Sequence, residues 1–277
     1  MVSNWIIINY RFGIFFICLI RKGLCLFGGS EGLDRFSGVA VFCVPKLYPI
    51  IDRATLDARG VPVAAFAAEL ATAGVGMVQY RDKLRGPQEL LRAAEQIAAA
   101  FAERECVFVM NDRADLAALL GWGVHVGQGD LSVEDARKVL RTPHLTLPLD
   151  EAERRGWGTQ LVGVSTHTEE QLRAACEPTS QMRDVGHPDY VAIGPVFATR
   201  SKADAEPVVG LEGVRRARAL TRRLPEERAL VAIGGITLEN ARSSVDAGAD
   251  SVAVISGLFV EGRSVADVAR DFLRVLG

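Results

Sequence analysis

Cations and carboxylates recur in this chain where short apolar runs end. Gln79-Tyr80-Arg81-Asp82-Lys83 closes one run, Asn111-Asp112 a second, Gly127-Gln128-Gly129-Asp130 a third and Ser165-Thr166-His167-Thr168 a fourth. Another leads into Gly194-Pro195-Val196-Phe197-Ala198-Thr199-Arg200-Ser201-Lys202. Arginine offers phosphate oxygens a planar fork and lysine a point charge, so Arg81, Lys83 and Lys202 suit an anionic ligand. Asp112 and Asp130 either join those cations in a salt-bridge network or hold Mg²⁺, which commonly takes one or two carboxylates and completes its shell with water and phosphate oxygens. A diphosphate shared by metal and cations satisfies every charge, and is the more economical reading. Gly234-Gly235 and Ser256-Gly257 suggest a second, phosphate-sized anion site, since glycine backbone lets N–H groups approach closely and the serine adds a hydroxyl. Taken singly, an Asp or Ser in such a place is more often a helix cap. Asp112 would then cap a helix over 113–120, and His125 or His167 alone reads as a satisfied histidine. The functional case is the coincidence of Arg, Lys, Asn and Asp at successive run ends, which capping does not require.

The elements that must position these groups follow from the runs themselves. They are Leu47–Asp52, Met77–Asp82, Val107–Asp112, Gly123–Gly127, Leu161–Thr166, Tyr190–Phe197, Leu230–Gly235 and Ser251–Gly257. Each is short and rich in Val, Ile or aromatics, as buried parallel strands are. Helical stretches alternate with them: Pro62–Ala73, Pro87–Arg104, Ser132–Leu140, Thr168–Cys176, Gly210–Thr221, Thr237–Asp246 and Ser264–Leu276. Ser132 followed by Val-Glu-Asp is an N-cap with early acids, and Pro62 stands at a first helical position. Eight such units closing on themselves make an α/β protein with a single TIM (β/α)8 barrel. An open doubly wound sheet is weaker, because no GxGxxG turn is present. In a barrel, all the polar run ends meet on one rim, where phosphate often sits after strands seven and eight. The segments Arg141–Gln160 and Glu177–Asp189 are long for αβ loops and read as surface insertions.

The bulk properties limit the partners. A formal net charge of −2 over 277 residues argues against a nucleic-acid or anionic-membrane surface, so any anion is held locally by a small-molecule site. The 5 cysteines form no CxxC pair or zinc-spaced cluster and read as reduced thiols of a cytoplasmic protein. Residues 1–40 do not share the alternating pattern. Trp5 to Ile20 is apolar but interrupted by Asn9, Tyr10 and Arg11, short of the ~20 apolar residues of a spanning helix. Arg21 and Lys22 follow the apolar run, where a signal peptide would place charge before it. We therefore expect 1–40 to be an extension outside the fold rather than an anchor, and 41–277 to be the catalytic barrel.

The ordered set of motifs resembles thiamine-phosphate synthase. It comprises Gln79-Tyr80-Arg81-Asp82-Lys83, Asn111-Asp112, His125-Val126-Gly127-Gln128-Gly129-Asp130, Val164-Ser165-Thr166-His167-Thr168, Gly194-Pro195-Val196-Phe197 with Thr199-Arg200-Ser201-Lys202, and Ile233-Gly234-Gly235-Ile236. The resemblance runs from about Leu47 to Phe259. It implies a transferase of thiamine biosynthesis. A hydroxymethylpyrimidine diphosphate loses pyrophosphate while a thiazole phosphate nitrogen attacks the exocyclic carbon. It further implies that Gln79, Tyr80, Arg81, Asp82, Lys83, Asn111, Ser165 and Lys202 surround the pyrimidine diphosphate, with Lys83, Ser165 and Lys202 closest to the chemistry. Asp112 and Asp130 would be Mg²⁺ ligands, and Thr199, Arg200, Ser201, Gly235, Ile255 and Ser256 would surround the thiazole phosphate. Assembly into a homo-oligomer stays open. The family usually has Pro-Thr-x-Thr-Lys where this chain has Ala198-Thr199-Arg200-Ser201-Lys202. Two alternatives remain. A related thiazole tautomerase would use His167 as a proton shuttle, and a non-catalytic phosphate-ligand sensor would need the phosphate site without two metal-placed carboxylates.

Overall fold

The computed structural model describes residues 5–10, 13–20, 23–27, 43–141, 161–176, 187–199, 207–223 and 228–277. The chain divides into two units, 1–41 and 42–277. In the first, strands Trp5–Tyr10, Gly13–Ile20 and Gly23–Phe27 form an antiparallel meander. Its apolar stretch is therefore strand, and no described helix is long and apolar enough to cross a membrane.

The second unit is a closed, all-parallel, eight-stranded barrel. Its strands are β1 (Leu47–Asp52), β2 (Met77–Arg81), β3 (Val107–Asn111), β4 (Gly123–Val126), β5 (Val162–Thr166), β6 (Tyr190–Ile193), β7 (Ala229–Ile233) and β8 (Ser251–Val254). Each pairs with its neighbours in chain order, and β8 closes on β1 through Val252 opposite Leu47. The helices between them are α1 (Arg53–Asp57), α2 (Val63–Ala73), α3 (Pro87–Ala100), α4 (Ala114–Leu120), α5 (Val133–Leu140), α6 (Glu169–Cys176), α7 (Gly210–Thr221), α8 (Ala241–Asp246) and α9 (Val265–Leu276). Helix α1 has no counterpart in the sequence reading. It is capped by Asp52, whose carboxylate accepts from the Thr55 N–H at 3.0 Å. Ser132 caps α5 and Ser264 caps α9 in the same way. The long segments 142–160 and 177–186 lie outside the described residues.

Side chains alternate in and out along each strand. The outward set, including Val78, Tyr80, Met110, Val124 and Val164, packs with the helices in one large apolar layer. The inward set is smaller and centres on Tyr48, Ile50, Met77, Val109, Tyr190, Ala192, Val231 and Ala253. Three polar side chains, Gln79, His125 and Ser165, are also buried here. Away from the rim, Arg137 of α5 pairs with Asp189 at 2.9 Å, while Asp189 accepts from the Val162 N–H that opens β5. Arg218 of α7 pairs in the same way with Asp250, which accepts from the Leu230 N–H in β7.

Candidate active site

The rim at the strand ends carries the polar groups. Gln79 and Arg81 share the inward phase of β2, while Tyr80 lies between them and points into the helix layer. The Tyr80 hydroxyl donates to Asp82 at 3.2 Å, and Asp82 also accepts from the Leu84 and Arg85 backbone N–H groups. Burial and the Asp82 carboxylate both raise the phenol well above its ordinary range, so it stays a neutral donor. Tyr80 and Asp82, expected from the motif to be substrate contacts, thus build the β2–α3 loop; their side chains are turned away from the barrel mouth.

Arg81 Nη1 lies 2.5 Å from Asp52 Oδ1. Asp52 is itself fixed by the Thr55 N–H and hydroxyl, the latter at 2.7 Å. Asp52 is a site residue that the charges at the run ends do not reveal, although its Asp-x-x-Thr cap at a strand end is a signal in the sequence. Lys83 Nζ lies 3.0 Å from Asp112 Oδ2. Asn111 ends β3, half-buried, beside it.

Asp112 is the one non-glycine residue with positive φ among those described, at 62°. That conformation is uncommon outside glycine and marks a backbone held by its surroundings. Asp112 does not cap α4, whose N-cap position is Arg113 and carries no side-chain capping bond. Instead its carboxylate lies against that of Asp130. Burial is the largest influence on Asp112 and raises its carboxyl above the ordinary range. Lys83 pulls it down and Asp130 pushes it up. Asp130 in turn accepts from the Gly127 N–H at 2.8 Å, which pins the loop after β4. Two carboxylates held together, one of them half-buried, repel unless a cation lies between or beside them. The two carboxylates are oxygen donors of the kind Mg²⁺ takes, and the Lys83 ammonium beside Asp112 is a second cation for an anionic ligand. No group of three or more possible metal ligands occurs among the described residues.

Across the same rim, the loops after β6 and β7 pack tightly. Val196 N–H donates to Ile233 O at 2.9 Å and Phe197 N–H to Gly234 O at 3.0 Å. Gly235 has φ +64°, and a Cβ there would stand 2.5 Å from Ala198 O and 2.8 Å from Phe197 Cβ. Its glycine is therefore required first by loop packing, a reason the sequence reading did not include. Thr199 is half-buried on this loop, and Ile255 and Ser256 follow β8 at the start of a short 3-10 turn, Ser256–Leu258. Arg200, Ser201 and Lys202 lie outside the described residues. His167 donates through Nδ1 to Gly194 O at 2.6 Å, which ties the β5 end to this loop.

The interior just below the rim holds residues that the sequence reading gave no role. Gln79 Nε2 donates to the Tyr48 hydroxyl at 2.9 Å, and Tyr48 and Tyr190 hydroxyls lie 2.8 Å apart. His125 Nδ1 is 3.0 Å from the Tyr190 hydroxyl and its Nε2 is 2.8 Å from Ser165 Oγ. Tyr48 and Tyr190 sit within runs that read as plain apolar strand. His125 is indeed a satisfied, buried histidine, but what satisfies it is a candidate substrate contact.

The model of the thiamine monophosphate synthase family matches residues 47–146 and 143–258. The chain belongs to that family. It is 43% identical over 237 residues to the thiamine-phosphate synthase of Koribacter versatilis, covering 84% of this chain and 96% of that one. The thiamine-phosphate synthase of Methanoregula boonei is 37% identical over 227 residues, covering 81% and 90%. Among solved structures, a thiamine phosphate pyrophosphorylase from Pyrococcus furiosus superposes with a TM-score of 0.63 at 26% identity, covering 83% of this chain and 95% of that one. The matched region is the barrel, rim motifs included.

Proposed function

We propose that this protein is a thiamine-phosphate synthase, condensing 4-amino-2-methyl-5-(diphosphooxymethyl)pyrimidine with thiazole phosphate, carboxylated or not, to thiamine phosphate and pyrophosphate. The observation that carries the reading is the joining of Asp112, Asp130 and Lys83 at one point of the rim, with Arg81 held by Asp52 at the end of β2. The carbon–oxygen bond to the diphosphate breaks and its electron pair leaves with the diphosphate. The thiazole nitrogen supplies the pair for the new carbon–nitrogen bond. No protein nucleophile enters that balance. Asp112 and Asp130 would hold Mg²⁺, which when bound supplies positive charge to the leaving diphosphate. Arg81, Lys83 and Lys202 bind and orient the same group. Prepositioned charges of this kind stabilise a transition state without reorganising. Gln79, Asn111 and Ser165 contact the pyrimidine side. Thr199, Arg200, Ser201, Gly235, Ile255 and Ser256 take the thiazole phosphate. The two substrates, held on one rim, meet without the entropic cost of a bimolecular encounter. The tautomerase and sensor alternatives give the paired carboxylates only structural tasks, the ion pair with Lys83 and the bond to the Gly127 N–H. In this reading the enzyme works in the cytoplasm on small molecules.

Product formation from the two purified substrates, with and without Mg²⁺, is the direct test. Asp112→Asn and Asp130→Asn keep size while removing charge. Each should lower metal affinity and cost ~10²–10³ in rate, the scale of one lost transition-state contact. The double variant should lose less than the product of the singles, because both act through one ion. Normal turnover by wild-type enzyme in excess chelator would refute the metal assignment.

A further inference from the structure

The barrel interior connects two candidate substrate contacts, Gln79 and Ser165, by an unbroken chain of buried side chains. It runs Gln79, Tyr48, Tyr190, His125, Ser165, with steps of 2.9, 2.8, 3.0 and 2.8 Å. These residues come from β2, β1, β6, β4 and β5, so the chain crosses the barrel without using neighbouring sequence. All five are buried.

The interior is shaped to admit it. Gly163 faces inward on β5, and a Cβ there would stand 2.0 Å from Tyr190 Cζ. Any side chain at that position would evict the Tyr190 ring. With glycine present, the ring stacks on His125 at 5.5 Å between centroids and meets the Tyr48 ring edge-on at 5.8 Å. Tyr48 and Tyr190 are fully buried and both phenols are held well above their ordinary range, mainly by that burial. Each hydroxyl keeps its proton and has one hydrogen to place.

We propose that Tyr48, Tyr190 and His125 are positioning residues that fix the direction of the hydrogen bond Ser165 offers its ligand. The count of protons gives the direction. Gln79 donates to Tyr48, so the Tyr48 hydrogen goes to Tyr190. The Tyr190 hydrogen then goes to His125 Nδ1, which must be the unprotonated ring nitrogen. His125 therefore carries its proton on Nε2 and donates to Ser165 Oγ. With its oxygen already accepting, Ser165 turns its own hydrogen outward and acts as a donor toward an acceptor atom of the ligand, a ring nitrogen or a diphosphate oxygen. Reversing the Gln79 amide reverses every step and makes Ser165 an acceptor, so the two ends change polarity only together. This inference rests on the assignment of Ser165 as a substrate contact in the proposed synthase.

The test combines nitrogen NMR with a double-mutant cycle. In wild type, ¹⁵N-labelled histidine should show His125 as the Nε2–H tautomer, and Tyr190→Phe should abolish that preference while leaving circular dichroism unchanged. Tyr190→Phe should lower kcat/KM for the pyrimidine diphosphate ~10-fold, the lower end of what losing an outer orienting partner costs. The KM for thiazole phosphate should not move. Tyr190→Phe combined with Ser165→Ala should lose several-fold less than the product of the two single losses, as residues acting through one contact do. His125→Gln, whose amide nitrogen can stand in for Nε2–H, should recover part of what His125→Phe loses. An Nδ1–H tautomer in wild type, or full multiplication of the losses with Ser165→Ala itself damaging, overturns the relay and leaves the substrate contact standing. A harmless Ser165→Ala removes the substrate contact, and the relay's role falls with it.

Discussion

Arg81 reaches Asp52 with Nη1 alone, which leaves the remaining guanidinium donors for other partners. Asp52 is rigid because Thr55 supplies two hydrogen bonds to its other oxygen. One planar cation can thus be anchored on one side and bind a ligand on the other. A lysine ammonium brings the same charge as a single point and cannot span both. Arg81→Lys should therefore cut kcat/KM for the pyrimidine diphosphate by ~10², as removal of one prepositioned contact does. Steady-state kinetics check this, and a lysine variant within a few-fold of wild type would show that charge alone is enough. The types and spacing of Arg81, Lys83, Asp112 and Asp130 were legible in the sequence because charges at the ends of apolar runs are conspicuous. Tyr48, Tyr190 and His125 were not. Each lies inside a run whose overall apolar character hides which face it takes, and only the closed barrel brings β1, β4 and β6 inward together.

Among the elements, the eight strands could be read with their starts in place, because parallel buried strands stand out as short apolar runs between long amphipathic segments, whereas β6, β7 and β8 end at Ile193, Ile233 and Val254, before the apolar runs do. Helix α5 was legible by its cap Ser132, and Ser264, read only as the start of a helical stretch, caps α9 in the same manner. Helix α1 was missed because five residues carry no helical period. The glycines at the ends of β6 and β7 were seen as anion-binding backbone, whereas the close approach of the two loops gives Gly235 a steric reason of its own. Both reasons bear on one substitution. At φ +64° a β-carbon costs about 1–2 kcal/mol, and here it also presses on Ala198 and Phe197, next to Thr199. Gly235→Ala should lower the melting temperature modestly, and Gly235→Val more. Both should raise the KM for thiazole phosphate at least ~10-fold, because displacing a contact by about an ångström is costly in a site of this kind. The pyrimidine KM should change little. A change confined to the pyrimidine would mean that the two anion sites have been assigned the wrong way round.

For the molecule as a whole, closure of the barrel decides what the chain can lose. Every strand of the described barrel is paired on both edges, β8 to β1 included, so the barrel needs no outside strand to complete its sheet. The family match begins at residue 47, and the strand meander of Trp5–Phe27 belongs to the other unit. Removing residues 1–41 should therefore leave a folded, active synthase, with thermal melting followed by circular dichroism shifted by no more than a few degrees. The point of truncation matters, however. Val44 is buried in the inward core beside Tyr48 and Tyr190, and Lys46 O accepts from the Val252 N–H at 3.0 Å where β8 meets β1. A cut that runs on through Lys46 strips both. Burying a valine side chain stabilises by about 1.5–3 kcal/mol, and the lost backbone bond adds about 1 kcal/mol. In a barrel of this size a loss of that order lowers the melting temperature by several degrees. The longer truncation should thus be clearly less stable than the shorter one. Equal melting of the two would show that Val44 does not plug the barrel. Failure of the shorter one to fold would show that residues 1–41 are part of the fold after all.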